Sequence, residues 1–464
     1  MTQPLVAFRS KPVIAGTAAS LLVAGLATYQ PLYVVLLLAG AGYVIVLAKD
    51  PAVGLALFTL LTFFGELGHG ASPAKAAGAL IVLVWLLRIV RRDGGAPFLA
   101  WTRPHVFYAG VGIVAWAGAS VLWAFDSGVA ESTAIRLALN LMLFIVVPSF
   151  VTNRRDLFVV LYAYVFGATL TAAYGVASGN ANSDATGRLA GGIGDPNELA
   201  ALLVPAIILA FLLFGLHRRL FTRVALLFAI GVAVFAMGAA QSRGGLVAMA
   251  AAVLAATIWG GRHRGKIVAG VVVALAAAAA AISVGSVALG RFSSFGGGGT
   301  GRVDIWSVAL RVFRAHPIGG VGIGNFTVVE PSYAAGNLNL PRVDLIVNSQ
   351  KVTHNTYLNV LADLGLVGFC LFALLIILVL GALVLRVRDA RVRRGDPQLA
   401  AIARGLLVSL AGLLVAYAFI SAQYEKQLWL LLGVALAAAS LPARGLPVES
   451  DARLRVVSDE RFAR

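Results

Sequence analysis

The sequence predicts an all-α polytopic membrane protein, a bundle of about 12–14 transmembrane helices with one long loop on its outer side. Three observations predict it. The first is composition: 60% of the 464 residues are hydrophobic, 12% are charged and the mean hydropathy is +0.90. Soluble domains carry about 25% charged residues. The second is that apolar runs of bilayer length, about 20 residues, recur from one end of the chain to the other. The third is that basic clusters fall in every second connection between those runs, as the positive-inside rule requires of a chain that crosses a membrane repeatedly.

In chain order, spans are predicted near residues 13–28, 31–48, 52–64, 74–90, 105–124, 133–151, 157–178, 197–215, 224–240, 244–259, 267–289, 356–385, 405–421 and 428–440. The shorter ones decide between twelve and fourteen. Arg9 and Lys11 precede the first run as they would in a signal peptide, but no small-residue cleavage site follows, so the run reads as an uncleaved helix. Basic residues stand at Lys49, at Arg88, Arg91 and Arg92, at Arg154 and Arg155, at Arg218, Arg219 and Arg223, at Arg262, Arg264 and Lys266, and from Arg386 to Arg394. The intervening connections "TYQP", "GELGHGASP", "FDSGVAES" and "SAQYEKQ" are poor in arginine. This alternation places both termini in the cytoplasm. The net charge of +17 is scattered between spans, which excludes a nucleic-acid surface. The only cysteine, Cys370, lies in an apolar stretch, so neither an intrachain disulfide nor a cysteine metal site forms.

The chain divides into an N-terminal transmembrane bundle (1–289), a large outer loop (290–355), C-terminal transmembrane helices (356–440) and a basic cytoplasmic tail (441–464). The loop opens on the flexible "SSFGGGGTG". In "GRVDIWSVALRVFRAHP", Ile305, Trp306, Ala309, Leu310, Val312 and Phe313 predict one apolar helix face, with the helix stopping before Pro317. Such a helix lies on the membrane surface or caps a cavity. The turn-rich "IGGVGIGNF" follows. Long loops without a domain of their own are usually functional.

Cations on the outer side go against the topology rule, and four stand out. Arg188 lies in "GRLAGGIGDPNELA", Arg243 in the tight turn "QSRGGL", Arg302 in "TGRVDIW", and Arg136 about one turn inside a span with Asn140 beyond it. A charge in the bilayer needs a partner, a wet cavity or a route to the interface. Arg136 either snorkels or serves a site. Arg188 either pairs with Asp184 or Asp195 or serves a site. The glycines beside Arg243 permit close approach of a backbone or ligand. His354, in "THNT" before an apolar run, either caps a helix or takes a proton near neutral pH, its unperturbed pKa being about 6.5. Glu66, His69 and Lys75 share an outer turn, and His316 before its proline reads as a surface residue. "GGVGIGNF" has the glycine spacing of a nucleotide loop, but no strand precedes it, so an ATP or dinucleotide site is not expected. No HExxH or DxD pair appears, and no metal site is expected.

The segments "GRVDIWSVALRVFRAHPIGGVGIGNF" and "HNTYLNVLADLGLVGF", in that order within one loop, resemble the O-antigen ligase and polymerase superfamily, the Wzy/WaaL-like glycosyltransferases of bacterial envelopes. "SVLWAFD", "RLAGGIGDPNELA" and "QSRGGL" extend the resemblance over about residues 105–440. Ligases carry a histidine and a glycine with ten residues between them, here His354 and Gly365. They also carry an arginine with leucine four positions on; here Val247 stands in the leucine position after Arg243. The resemblance implies a GT-C-like bundle with a lateral cavity open to the periplasmic leaflet, in the bacterial inner membrane. It implies a glycan donor on polyprenyl (undecaprenyl) pyrophosphate, an acceptor that is a lipid-linked sugar, lipid A–core or a protein hydroxyl, contact with membrane lipids, and no nucleotide sugar, metal or other cofactor. By the same resemblance His354 is the expected general base and Arg243 and Arg302 the expected holders of the pyrophosphate. Arg188, Arg136, Asn355 and Lys75 are further candidate contacts. In-line attack would invert the anomeric centre. One large loop favours a ligase; the alternative is a polymerase of the same superfamily. A lipid-linked sugar transporter is disfavoured by the lack of repeat between the two halves.

Overall fold

The computed structural model describes residues 31–65, 73–91, 102–178, 187–261, 265, 268–270, 272, 302–335, 351–392 and 396–442. The predicted span at 13–28, nearly all of that at 267–289, the glycine-rich loop entry, Glu66, His69, Asp184 and the basic tail lie outside these residues. The helices are α1 (Pro31–Lys49), α2 (Pro51–Leu61), α3 (Pro73–Arg91), α4 (Pro104–Ala119), α5 (Ser127–Phe150), α6 (Arg154–Ala177), α7 (Pro196–Leu216), α8 (Leu220–Ala239), α9 (Arg243–Trp259), α10 (Arg302–Ala315), α11 (Phe326–Ala335), α12 (Thr356–Val392), α13 (Pro397–Ala416) and α14 (Lys426–Ser440). Among the described residues eight helices are long and apolar enough to cross a membrane, while α1, α2, α9 and α14 are shorter apolar helices. The chain is an all-α polytopic membrane protein.

Polar residues set where the helices begin. Asp50, Asp126, Asn153, Asp195, Ser242 and Asp396 each accept a hydrogen bond from the first turn they precede, and proline follows Asp50, Asp195 and Asp396. The Asp396–Pro397 start corrects one expectation: α13 begins at Pro397 and ends at Ala416, not at 405 and 421. α7, α13 and α14 are the most buried helices, with α9 against α13 and α5 against α14. Phe221 and Phe228 on α8 and Val90 on α3 stay exposed, as expected of helices that meet lipid tails. At one end of the bundle Arg155 pairs with Asp50 at 2.6 Å and Arg154 pairs with Asp396. Three of the predicted basic connections therefore share that end.

The other end carries α10 and α11, which share a small apolar core with the first turns of α12. The buried stripe of α10 is Ile305, Val308, Ala309 and Val312. Leu310, expected in the stripe, is exposed, because α10 sits in a narrow seat between α11 and α12 that only one i, i+3, i+4, i+7 row fills. A second correction concerns α12, predicted as one continuous span. Its helix is interrupted at Gly365, where φ is 65° and ψ is −165°. The turn 317–322 fills the break. Leu366 N donates to Pro317 O (2.8 Å), Val321 N to Ala362 O (3.0 Å) and Gly322 N to Asp363 O (2.9 Å). Trp116 Nε1 from α4 donates to Leu364 O (2.9 Å). A Cβ on Gly365 would strike Ile318 O. The glycine of the His354–Gly365 pair thus marks where outer-loop backbone enters a membrane helix; of the "GGVGIGN" glycines, Gly320 packs on the Asp363 backbone at the break, while Gly319, Gly322 and Gly324 pack on Trp123, Ala124 and Thr133.

Candidate active site

α7, α9 and α12 begin at the end that carries α10. Asp195 Oδ1 caps α7 through Asn197 N (2.7 Å) and Glu198 N (2.9 Å). Asn355 Oδ1 caps α12 through Tyr357 N (3.0 Å) and Leu358 N (3.1 Å). Arg188 ties the starts of α7 and α9 together: its Nε donates to Ala240 O (3.0 Å) and its Nη2 to Asn197 Oδ1 (2.9 Å), which also accepts from Ser242 Oγ (3.1 Å). Gly244 lets α9 start hard against the segment after α13, since a Cβ there would lie 2.8 Å from Phe419 Cβ. Arg302, the first residue of α10, feels the charges of Arg188, Asp195 and Arg243, and His354 feels those of Arg302, Asp195 and Lys351. Arg188, Arg243 and Asp195 thus lie within electrostatic reach of Arg302, and Arg302, Asp195 and Lys351 within reach of His354.

His354 is held in an unusual backbone conformation. Its φ is 49°, and the other non-glycine residue with positive φ among the described residues is Gln241 (48°), two before Arg243. Left-handed conformations at non-glycine residues cost on the order of 1–3 kcal/mol and persist where surrounding contacts impose them. The contacts are present on both sides of His354. Thr353 Oγ1 lies 2.9 Å from Ser421 Oγ and 3.1 Å from Asn359 Oδ1, and it accepts from Asn355 N at 3.2 Å. Thr353 O accepts from Trp306 Nε1 (3.0 Å), which links the turn to α10 and so to Arg302. Thr356 donates its N–H to Tyr417 O (2.9 Å) and its hydroxyl to Ile420 O (2.8 Å), and accepts from Ala422 N (2.9 Å).

Burial, and after it the Arg302 charge, pushes the His354 pKa below its ordinary value, while Asp195 opposes and Lys351 reinforces the shift. The imidazole is neutral at pH 7 and keeps a ring-nitrogen lone pair. Arg302 is likewise held below the usual guanidinium range, by burial first and then by Arg188, with Asp195 opposing and Arg243 adding to the effect. Arg302 thus feels the like charges of Arg188 and Arg243 and the opposite charge of Asp195, and an anion beside it would be favoured, aided by the positive ends of α7 and α9. Among the described residues no group of three His, Cys, Asp or Glu could hold a metal ion.

The remaining predicted residues lie elsewhere or are otherwise engaged. Arg136 on α5 and Lys75 on α3 line a separate cavity of about 810 Å³. Arg136 pairs with Glu425 at 2.7 Å, and its guanidinium carbon is 5.8 Å from the Tyr424 ring centroid. Asn355 uses its side-chain oxygen as the α12 cap. His316, expected at the surface, is half-buried: its Nε2 is 3.1 Å from Tyr333 Oη and its ring is 5.7 Å, edge-on, from Phe125. Sequence reasoning missed Asn197, Thr353, Trp306 and Asp363. Asp363 is fully buried on α12, where Oδ1 accepts from Phe326 N (2.8 Å) and Oδ2 from Asn359 Nδ2 (2.7 Å). An acid inside an apolar run was the available signal.

A multi-helix membrane bundle with a cationic cluster at one end, facing a neutral histidine, is the class this architecture defines. Residues 228–373, from α8 into α12, match the model of the Wzy_C family, O-antigen ligase, which supports the resemblance to the O-antigen ligase and polymerase superfamily. The matched segment includes Arg243, Arg302, His354 and Gly365. Val247, in the place of the family's leucine, is 48% exposed, so the shorter side chain opens no core void. A search of curated proteins returned no match. The match supports, in general terms, a glycosyltransferase-like enzyme that acts on lipid-linked glycans in a bacterial membrane.

Proposed function

We propose that this protein transfers a glycan from a polyprenyl pyrophosphate carrier to a lipid-linked acceptor at the periplasmic face of the inner membrane, in the manner of an O-antigen ligase. The observation that carries the proposal is the electrostatic grouping of Arg188 and Arg243 with Arg302, and of Arg302 with His354, whose pKa lies below its ordinary value. The acceptor hydroxyl gives its proton to His354 and its oxygen attacks the anomeric carbon. The bond from that carbon to the pyrophosphate breaks with inversion, and the departing charge falls among the guanidinium groups. Paired, charge-assisted hydrogen bonds from arginine suit phosphate oxygens, and their gain is largest as charge develops on the leaving group. The basic connections gathered at the opposite end of the bundle support an outward-facing site.

The test is transfer in liposomes from an undecaprenyl-pyrophosphate glycan to a panel of lipid acceptors. His354→Ala should lower the rate by about 10²–10⁴-fold with donor binding retained. Near-normal transfer by that variant would remove His354 as the base. The acceptor that works separates ligase from polymerase, and the anomeric configuration of the product tests inversion.

A further inference from the structure

The outer end of the bundle carries an apolar patch drawn from three stretches of chain. Leu122 (89% exposed), Trp123 and Phe125 stand in the connection from α4 to α5, Ile318 (69% exposed) in the turn after α10, and Leu366 in α12 just past its break. Backbone bonds hold the three stretches side by side. Trp123 Nε1 donates to Gly319 O (3.3 Å) and Phe125 N to Val321 O (3.4 Å). On the other flank of the turn, Leu366 N donates to Pro317 O (2.8 Å) and Val367 N to Ile318 O (3.4 Å). The patch is thus a fixed part of the fold. A contiguous exposed apolar surface of this kind marks contact with a partner or a membrane.

Two helices give its depth independently. Arg103, just before α4, and Arg386, on α12, mark the inner end and lie within electrostatic reach of each other. Counted outward from them, the length of a membrane span, about 20 residues, ends at Leu122 and Trp123 on one helix and at Leu366 on the other. Both counts stop at the patch. Ile318 lies between the two end points and so reaches the outer edge of the hydrocarbon, although it belongs to the outer loop. The faces beneath agree. On α12, Leu366, Cys370, Leu374 and Ile377 form one exposed row at helical spacing, and on α4 the exposed row is Tyr108, Val111 and Ala115, leading to Leu122. The patch therefore continues the lipid-facing surface of both helices. Its rim is polar: Asp126 and Ser127 are exposed beyond Phe125, and Arg314 is exposed one turn before Ile318.

We propose that this patch is a membrane foot: the 317–322 turn and residues 122–125 insert into the outer leaflet, where headgroups meet acyl chains. Ile318 and Phe125 enter the acyl region. Trp123, its ring 5.3 Å from that of Trp116, takes the boundary, where the amphipathic indole is favoured. Asp126 and Arg314 stay among headgroups and water and limit how deep the foot goes. Lipid is the occupant, rather than a second protein surface, because the rows that lead to the patch already face acyl chains. The turn is thereby held from both sides, by the α12 break within the protein and by the bilayer outside it. Nothing in this depends on the transferase reading.

The experiment puts nitroxide labels on single cysteines, on a Cys370→Ser background in phospholipid nanodiscs. It compares collision with oxygen, which concentrates in lipid, and with a water-soluble nickel chelate. Ile377→Cys on α12 is the lipid reference and Ser332→Cys on α11 the aqueous one, both being exposed. Leu122→Cys, Ile318→Cys and Leu366→Cys should side with Ile377→Cys, with nickel collision severalfold below that at Ser332→Cys. Nickel collision at Ile318→Cys equal to that at Ser332→Cys would overturn the proposal. Low collision with both reagents at the three sites would mean that protein covers the patch, and would overturn it too. A second arm needs no substitution: lipids with a diazirine near the top of the acyl chain should photolabel the unmodified protein within 317–322 and 122–125 but not at Ser332. Absence of label from both segments would also overturn it.

Discussion

His354 and Arg302 are coupled twice, through charge and through the Trp306 hydrogen bond to Thr353. The charge coupling has a direct consequence for pH dependence. With its pKa held below 6.5, His354 is free base at neutral pH. The value of kcat/KM should therefore fall as pH drops through the depressed pKa, at a lower pH than for an ordinary histidine. Arg302→Gln removes a charge that lowers this pKa, so the acid limb of the profile should move to higher pH while the rate at the plateau drops about 10²–10³-fold, as for loss of a donor to developing charge. A limb that stays in place would show that Arg302 does not act on the titrating group. Arg302 stands out in the sequence because cations are disfavoured on the outer side, and His354 because it directly precedes an apolar run. Thr353 and Asn197 do not, because a small polar residue in a loop carries no comparable signature until its partners, Ser421 and Ser242, are placed beside it.

At the scale of elements, α12 and the loop before it make one unit. The break at Gly365 leaves carbonyls and amides that only the 317–322 turn and Trp116 satisfy. Gly365→Ala meets both a positive φ and the Ile318 carbonyl, and should destabilise the protein by at least about 1–3 kcal/mol. Thermal unfolding in detergent measures it. The control is Gly381→Ala on the same helix, where an added Cβ meets nothing within 4 Å; it should leave stability unchanged or raise it. Hydropathy does not register this break, since the residues on both sides of it are equally apolar. The stripe of α10 was misjudged for a related reason. Periodicity finds that a helix has an apolar face but does not say how wide its seat is, so Leu310 was included and Val308 passed over.

For the whole molecule, the order of spans and the sorting of charge were readable because lipid imposes them on every helix. The ion pairs from Arg154 and Arg155 then gather distant connections at one end, as the alternation requires. Orientation can be checked with substituted cysteines on a Cys370→Ser background. Ser332→Cys, exposed on α11, should react with a membrane-impermeant maleimide in spheroplasts, and Thr152→Cys, exposed at the start of α6, only after permeabilisation. The opposite pattern would invert the topology. The cavity was not legible at all: its wall is assembled from Phe58, Lys75, Arg136, Glu198 and Lys426, which stand far apart in the chain and follow no common motif.

The interlocking of the turn with the α12 break also sets what can be exchanged between relatives. A chimera that imports a foreign outer loop without the residues around Gly365 would set one loop's backbone against another helix's gap, and misfolding would hide any change in specificity. Residues 302–335 and 351–367 are thus the smallest transplantable cassette, and recombination that respects it can vary the outer surface while the membrane scaffold stays constant.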